Sequence, residues 1–365
     1  MKCNHCGYEF GDGLTCQHCG IDRVEGLGSY ASGNSGASNS SSGDTISSSG
    51  NPGTMLCFKC GEVIPSDSAF CPYCGASLYV ECPSCGSKYS SQYPNCPHCG
   101  TNYKDAVNQI EDEQNEYNKF IQGIMDEFDL AYVEGGVFKM GATPEQSDPG
   151  FISDRKHVHS VKISSFLMGK YPVTQEFWMK VMGYNNSKHI GARNPVEMIT
   201  LPEVWDFLER LRNATNIPFR LPTEAEWEFA ARGGVLSKGY RYPGGNDLDS
   251  IAWVKHNAGN RTHPVGEKLP NELGLYDMAG NVYEFTADVY SRNYYSKSPY
   301  EDPCNGNVRG VIKSLLLDAS QFVVRGCSFW NDGKYAESSY RYFVEVTSKD
   351  DILGFRLALD MPEFG

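Results

Sequence analysis

The chain has 365 residues, which at about 150 residues per domain suggests two or three folded units. Carboxylates outnumber Lys and Arg by 45 to 32, a formal charge of −13 that disfavours binding to phosphate backbones or anionic membrane surfaces. No apolar run reaches about 18 residues and the opening MKCNHCGYEF has no apolar signal core, so the expected address is the cytoplasm, without membrane contact.

Twelve of the fourteen cysteines lie in the first 99 residues, all in CxxC pairs: Cys3/Cys6, Cys16/Cys19, Cys57/Cys60, Cys71/Cys74, Cys82/Cys85 and Cys96/Cys99. A glycine follows every pair, as a knuckle needs when its backbone turns tightly to aim two sulfurs at one ion. Joining neighbouring pairs gives three four-cysteine zinc ribbons, at residues 1–25, 55–76 and 80–101, and about three Zn2+. The last two repeat with a period of 25 residues, Cys57 to Cys82. An ion shared by Cys71/Cys74 and Cys82/Cys85 is the alternative pairing. Disulfides are the alternative chemistry, disfavoured in a reducing compartment, and rubredoxin-like iron is another. Modules this small hold no core without a metal. Residues 1–25 carry Lys2 and Arg23 against Glu9, Asp12, Asp22 and Glu25, and residues 55–100 carry Lys59 and Lys88 against Glu62, Asp67 and Glu81. Both are acidic, so a protein partner or plain spacing fits the ribbons better than nucleic acid.

Residues 26–54 are a Gly/Ser/Asn stretch read as a flexible linker, with an r.m.s. span of roughly 30 Å. Over residues 102–129 Val107, Ile110, Gln114, Tyr117, Ile121, Ile124 and Phe128 recur at alternating three and four, which predicts an amphipathic helix. Its other positions are acidic, and the stripe suits docking on the next domain or pairing with a second copy. Residues 130–362 are aromatic, Gly-rich and mixed. Strand-like runs lie at Val161 to Phe166, Phe322 to Arg325 and Phe355 to Leu359; Thr200 with Glu203 and Thr223 with Glu226 read as capping boxes, and Gly233-Gly234 ends the second helix. The remainder reads as loop, an α+β pattern.

The series AYVEGGVFKMG, FLMGKYPVTQEFW, NPVEMIT, FRLPTEAEWEFAARGG, NELGLYDMAGNVYEF, VVRGCSFW and LGFRLAL resembles, in order, the formylglycine-generating enzyme (sulfatase-modifying factor) family over about residues 130–361. The resemblance implies a loop-rich, C-type-lectin-like α+β fold. That family holds an oxygen-dependent enzyme, a sulfoxide synthase and domains without known chemistry, so fold does not settle function. The enzyme resembled holds Cu(I) on two cysteines five residues apart. Aligning its motif on Gly326-Cys327-Ser328 puts Asn331 and Ala336 there, and neither is a thiolate. Cys304 and Cys327 are the remaining thiols, read as small buried hydrophobes. His157 and His159 share a strand face without a third ligand, and Glu224 with Glu228 suits a capped helix face paired with Arg220 or Arg232. No residue is assigned a catalytic role.

The resemblance also implies a calcium loop at Asp277, Gly280, Val282 and Glu284, with a second, looser one near Ser250-Ile251 and Asn257 to Asn260, hence one or two Ca2+. With the copper site lost, the expectation is a non-catalytic module that binds a protein or small ligand. Its candidate surface is Phe329, Trp330, Asn331, Asp332, Tyr335, Tyr340 and Tyr342, rigid aromatics beside adaptable polar groups. The stretch from RGCSFW to GFRLAL also resembles the variable proteins of diversity-generating retroelements. An oxygen-dependent metalloenzyme with a non-standard site is the alternative.

Overall fold

The computed structural model describes residues 53–66, 68–146, 153–306 and 321–361. The expected ribbon at 1–25, with Cys3, Cys6, Cys16 and Cys19, and nearly all of the linker lie outside them. The described chain separates into two compact units: one runs to Glu81 and takes in Lys88–Tyr93, and the other comprises Cys82–Ser87 and the residues from Pro94 onward. No described helix is long and apolar enough to cross a membrane.

In the first unit, β1 (Thr54–Leu56) pairs antiparallel with β2 (Val63–Pro65), and β3 (Tyr79–Glu81) with β4 (Lys88–Ser90). Its apolar centre is small: Ile64, Leu78 and Ala76 around Cys57 and Cys71. So small a cluster cannot offset the ordering entropy of these turns, which leaves the metal to hold them. The glycines behind the four described knuckles, Gly61, Gly75, Gly86 and Gly100, have φ between +70° and +80°, where a Cβ is disfavoured.

The second unit has one long helix, α1 (Tyr103–Glu127), started by the Asn102 side chain accepting from Asp105 N–H. The apolar stripe is used at one end only. Ile121 and Ile124 are buried and Tyr117, Met125 and Phe128 pack on the main core, whereas Ile110 is 51% exposed; Phe120, off the stripe, is 55% exposed. The chain then forms β5 (Leu130–Val133), β6 (Gly136–Met140), β7 (His159–Ile163) and β8 (Phe166–Gly169). The expected single strand Val161 to Phe166 is thus two, broken where the Ser164 N–H and hydroxyl both bond to Asp302, at 2.8 and 2.7 Å.

Helices α2 (Gln175–Met182), α3 (Leu201–Thr215) and α4 (Glu224–Ala231) follow, then the single turn α5 (Leu248–Ile251). Thr200 with Glu203 and Thr223 with Glu226 form complete capping boxes on α3 and α4. The last strands are β9 (Tyr283–Val289), β10 (Gln321–Arg325), β11 (Arg341–Glu345), β12 (Leu353–Gly354) and β13 (Ala358–Asp360). One sheet has the order β11-β10-β9-β12 with β12 parallel to β9; another is β13-β8-β5, and β6 pairs with β7. Of the run Phe355 to Leu359 only its end is strand. The main core joins α2, α3 and the four-stranded sheet through Trp178, Phe207, Phe285, Phe322 and Phe355, and a second core lies around Trp227 and Phe229 of α4.

Candidate functional site

Two cysteine quartets are assembled, Cys57/Cys60/Cys71/Cys74 and Cys82/Cys85/Cys96/Cys99, with the sulfurs of each within 4.8 Å of one another. Each quartet joins neighbouring pairs, not Cys71/Cys74 with Cys82/Cys85. Sγ···Sγ separations are 3.7 Å for Cys57–Cys74 and Cys85–Cys96 and 3.6 Å for Cys60–Cys71 and Cys82–Cys99. Zinc at about 2.3 Å from each sulfur of a tetrahedron requires edges of about 3.8 Å, so both quartets fit the ion and could bind it. Local bonds favour the thiolate at Cys99, where the Thr101 hydroxyl and N–H draw the thiol down to about 6.

The C-terminal segment divides between core and surface. Phe329 and Tyr340 are buried and leave the proposed surface: Phe329 sets its ring edge-on to His189 at 5.1 Å, and Tyr340 packs on Tyr335 at 5.0 Å. Trp330 and Tyr342 stay 55% and 42% exposed. Between them Asp332 is exposed while Asn331 and Tyr335 are half-buried. The backbone under Trp330 is fixed, because Ser328 Oγ takes Trp330 N–H at 3.3 Å and donates to Asn331 Oδ1 at 2.5 Å, and Asn331 C=O takes Lys255 N–H at 3.1 Å. Beside Tyr342 opens a cleft of about 390 Å3, walled by Tyr283, Phe343, Ile352 and Leu353 and rimmed by Lys349 and Asp350.

The copper positions carry no thiolate geometry. Ala336 is buried with Cys327 among Ile251, Ala252, Val254 and Ala279, and burial pushes the Cys327 thiol up to about 12. Cys304 packs against the main core instead, 3.9 Å from Asp288 Oδ2, so the two thiols serve different clusters. His159 packs on Tyr295 at 5.0 Å, with its Nδ1 placed to donate to the His157 carbonyl at 3.2 Å; His157 precedes β7 and is exposed.

The carboxylates of α4 are not a solvated face. All eight residues of the helix are buried. Glu224 is held bidentately by Arg341 at 2.7 Å and not by Arg220, which clasps Glu226 at 2.7 and 2.9 Å. Glu228 meets Arg325 at 2.5 Å and Arg232 at 2.9 Å, and although burial favours its proton these cations hold it below the usual carboxylate range. Each oxygen is spent on structure.

The expected calcium loop is likewise closed by protein groups. Gly280 has φ +76° and an added Cβ would sit 2.2 Å from the Trp253 carbonyl oxygen, which explains the glycine without an ion. Glu284 accepts from Arg356 at 2.5 and 2.6 Å and from Trp227 Nε1 at 2.7 Å. Asp277 accepts from Gly266 N–H and Asn281 Nδ2, and burial pushes it up to about 6. As arranged, both carboxylates are engaged by protein donors, Glu284 by a guanidinium and an indole N–H and Asp277 by a backbone N–H and an amide. The looser second loop is also self-bonded: Ser250 and Ile251 lie in α5, and the Asn257 side chain bonds to Val254, Asp249 and Ala252. Among the described residues the cysteine quartets are the only clusters of three or more metal-capable side chains. The sequence did not single out the Arg325, Arg341 and Arg356 network, although a lone arginine inside the apolar run LGFRLAL was its signal.

Comparison with known proteins agrees with this geometry. Residues 124–361 match the model of the sulfatase-modifying factor enzyme 1-like domain, and residues 57–100 that of the double zinc ribbon. The chain is 34% identical over 213 residues to the chaperone protein LppX of Paenibacillus barcinonensis, covering 45% of this chain and 72% of that one. It is 33% identical over 225 residues to the inactive C-alpha-formylglycine-generating enzyme 2 of Bos taurus, covering 57% and 64%. It spans 32% of the length of a serine/threonine-protein kinase, Pkn1, of Chlamydia trachomatis. The solved structure of Treponema denticola variable protein 1 superposes with a TM-score of 0.53 at 26% identity, covering 63% of this chain and 94% of that one. With its loop-rich C-type-lectin-like α+β fold and N-terminal four-cysteine ribbons, the chain belongs to the sulfatase-modifying factor (formylglycine-generating enzyme) domain family.

Proposed function

We propose that the family domain acts here as a non-catalytic recognition module, its ligand-facing surface built on Trp330 and Tyr342. One observation carries this reading: Trp330 stands 55% exposed on backbone fixed by the Ser328–Asn331 turn, and Tyr342 of β11 stands 42% exposed at the wall of a cleft of about 390 Å3. Rigid exposed aromatics over a packed base supply contact area at low entropic cost. Asn331 and Ala336 at the copper positions, and the likeness to a relative called inactive and to a variable protein, support the same reading. The partner is a protein or small ligand, met in the reducing compartment that keeps the ribbon thiolates available to zinc. Diversification of the stretch Arg325 to Gly354 by a retroelement is part of this proposal, and a gene neighbourhood without a reverse transcriptase or a near-copy of that coding segment would sink it.

A turnover experiment tests the main reading. The purified chain is incubated with Cu(I), O2 and a cysteine peptide of the sulfatase type and the peptide is weighed by mass spectrometry. No change is expected. Loss of about 18 mass units, the conversion of cysteine to an aldehyde at a metal, would overturn the reading.

A further inference from the structure

We propose that the N-terminal part of α1 is the docking face for a basic amphipathic helix of a partner protein. Ile110 is 51% exposed and Val107 half-buried on a helix whose buried residues, Ile121 and Ile124, both lie in its last two turns. The stripe through Val107, Ile110 and Gln114 therefore continues N-terminal to Tyr117, where docking on the core begins.

Charge decides which occupant fits. Between Tyr103 and Glu127 there are seven carboxylates and two lysines, a net −5. Glu111 and Glu113 flank the exposed stripe on either side, the positions from which a coiled-coil partner is selected. The last turn holds Asp126 and Glu127 and no basic residue, so negative side chains sit at the negative end of the helix dipole. The helix compensates with local polar pairs, Gln109–Glu113, Gln114–Asn118 and Gln122–Asp126, which involve no cation. A second copy would double this negative charge across a gap of about 10 Å, close to the screening length in salt. A partner helix with leucines on its seam and lysines beside it would cover the apolar stripe and neutralise its acidic flanks.

The test uses the full chain and two synthetic helical peptides of about three heptads with leucine seams, one flanked by lysines and one by glutamates. Calorimetric titration is expected to show binding of the lysine peptide alone, weakening about tenfold between about 50 and 500 mM salt. Ile110→Asp, exposed and so harmless to the fold, is expected to weaken it by about tenfold, and Ile110→Leu to leave it intact. Unchanged thermal unfolding of both variants secures the comparison. Absence of heat with the lysine peptide, equal binding of the two peptides, or indifference to Ile110→Asp would each overturn the proposal. So would a dimer in sedimentation equilibrium that Ile110→Asp dissolves, which would assign the face to a second copy.

Discussion

Arg356 lies with Glu284 in the interior, both side chains fully buried, and the pair is bound by two contacts of 2.5 and 2.6 Å. Removing one member strands the other charge, so Arg356→Met is expected to cost about 3 to 5 kcal/mol in urea unfolding, and adding Glu284→Gln to recover much of that. Equal losses in the single and double variants would mean that packing, not charge, sets the cost. Asp288 behaves differently. It accepts from Glu224 N–H and Asn305 N–H, yet burial, then the nearby Glu224 charge, push it from 3.8 up to about 7. The folded state therefore holds this proton more tightly than the unfolded one. The stabilisation is complete below about pH 4 and is lost as pH rises through about 7. Unfolding free energy should thus fall more steeply between pH 5 and 7 in the native chain than in Asp288→Asn; parallel profiles would refute the assignment. Neither carboxylate's role was legible in the sequence, because each depends on partners far away in the chain.

Helix starts, by contrast, were legible. Thr200 and Thr223 read as caps because their partners are three residues away, and both boxes close as expected. Thr223 has no exposure, so Thr223→Ala leaves the Glu226 N–H without its acceptor away from water, and a loss of about 1 to 2 kcal/mol is expected by urea unfolding. A loss below a few tenths would show that Glu226 alone caps the helix. The ion pairs of α4 were legible in part: Arg232 holds Glu228 as expected, whereas Arg220 takes Glu226 instead, and Arg325 and Arg341 arrive from strands far away in the chain. In α1 the period was right and its reach was not, since the core meets only the C-terminal turns.

At the scale of the molecule, the spacing of the cysteines was enough to place two centres, because each knuckle is local and its glycine is dictated by φ. The family motifs were readable for the same reason, being mostly caps, turns and core positions. Which aromatics face solvent was not readable: Phe329 and Tyr340 go in and Trp330 and Tyr342 stay out through tertiary packing alone. Elemental analysis of the purified chain is expected to find at least two zinc ions, and Cys82→Ser to remove one without lowering the main thermal transition. That transition belongs to a core around Trp178, Phe207 and Phe355 that touches no cysteine of either quartet. A stoichiometry unchanged by Cys82→Ser would refute the pairing. The quartets also alter the electrostatics of the whole chain. Four thiolates and one Zn2+ leave each centre with a charge of −2, which a count of Asp, Glu, Lys and Arg omits. The two centres take the formal −13 to −17, so loading the ribbons with metal makes this acidic protein more strongly anionic rather than less.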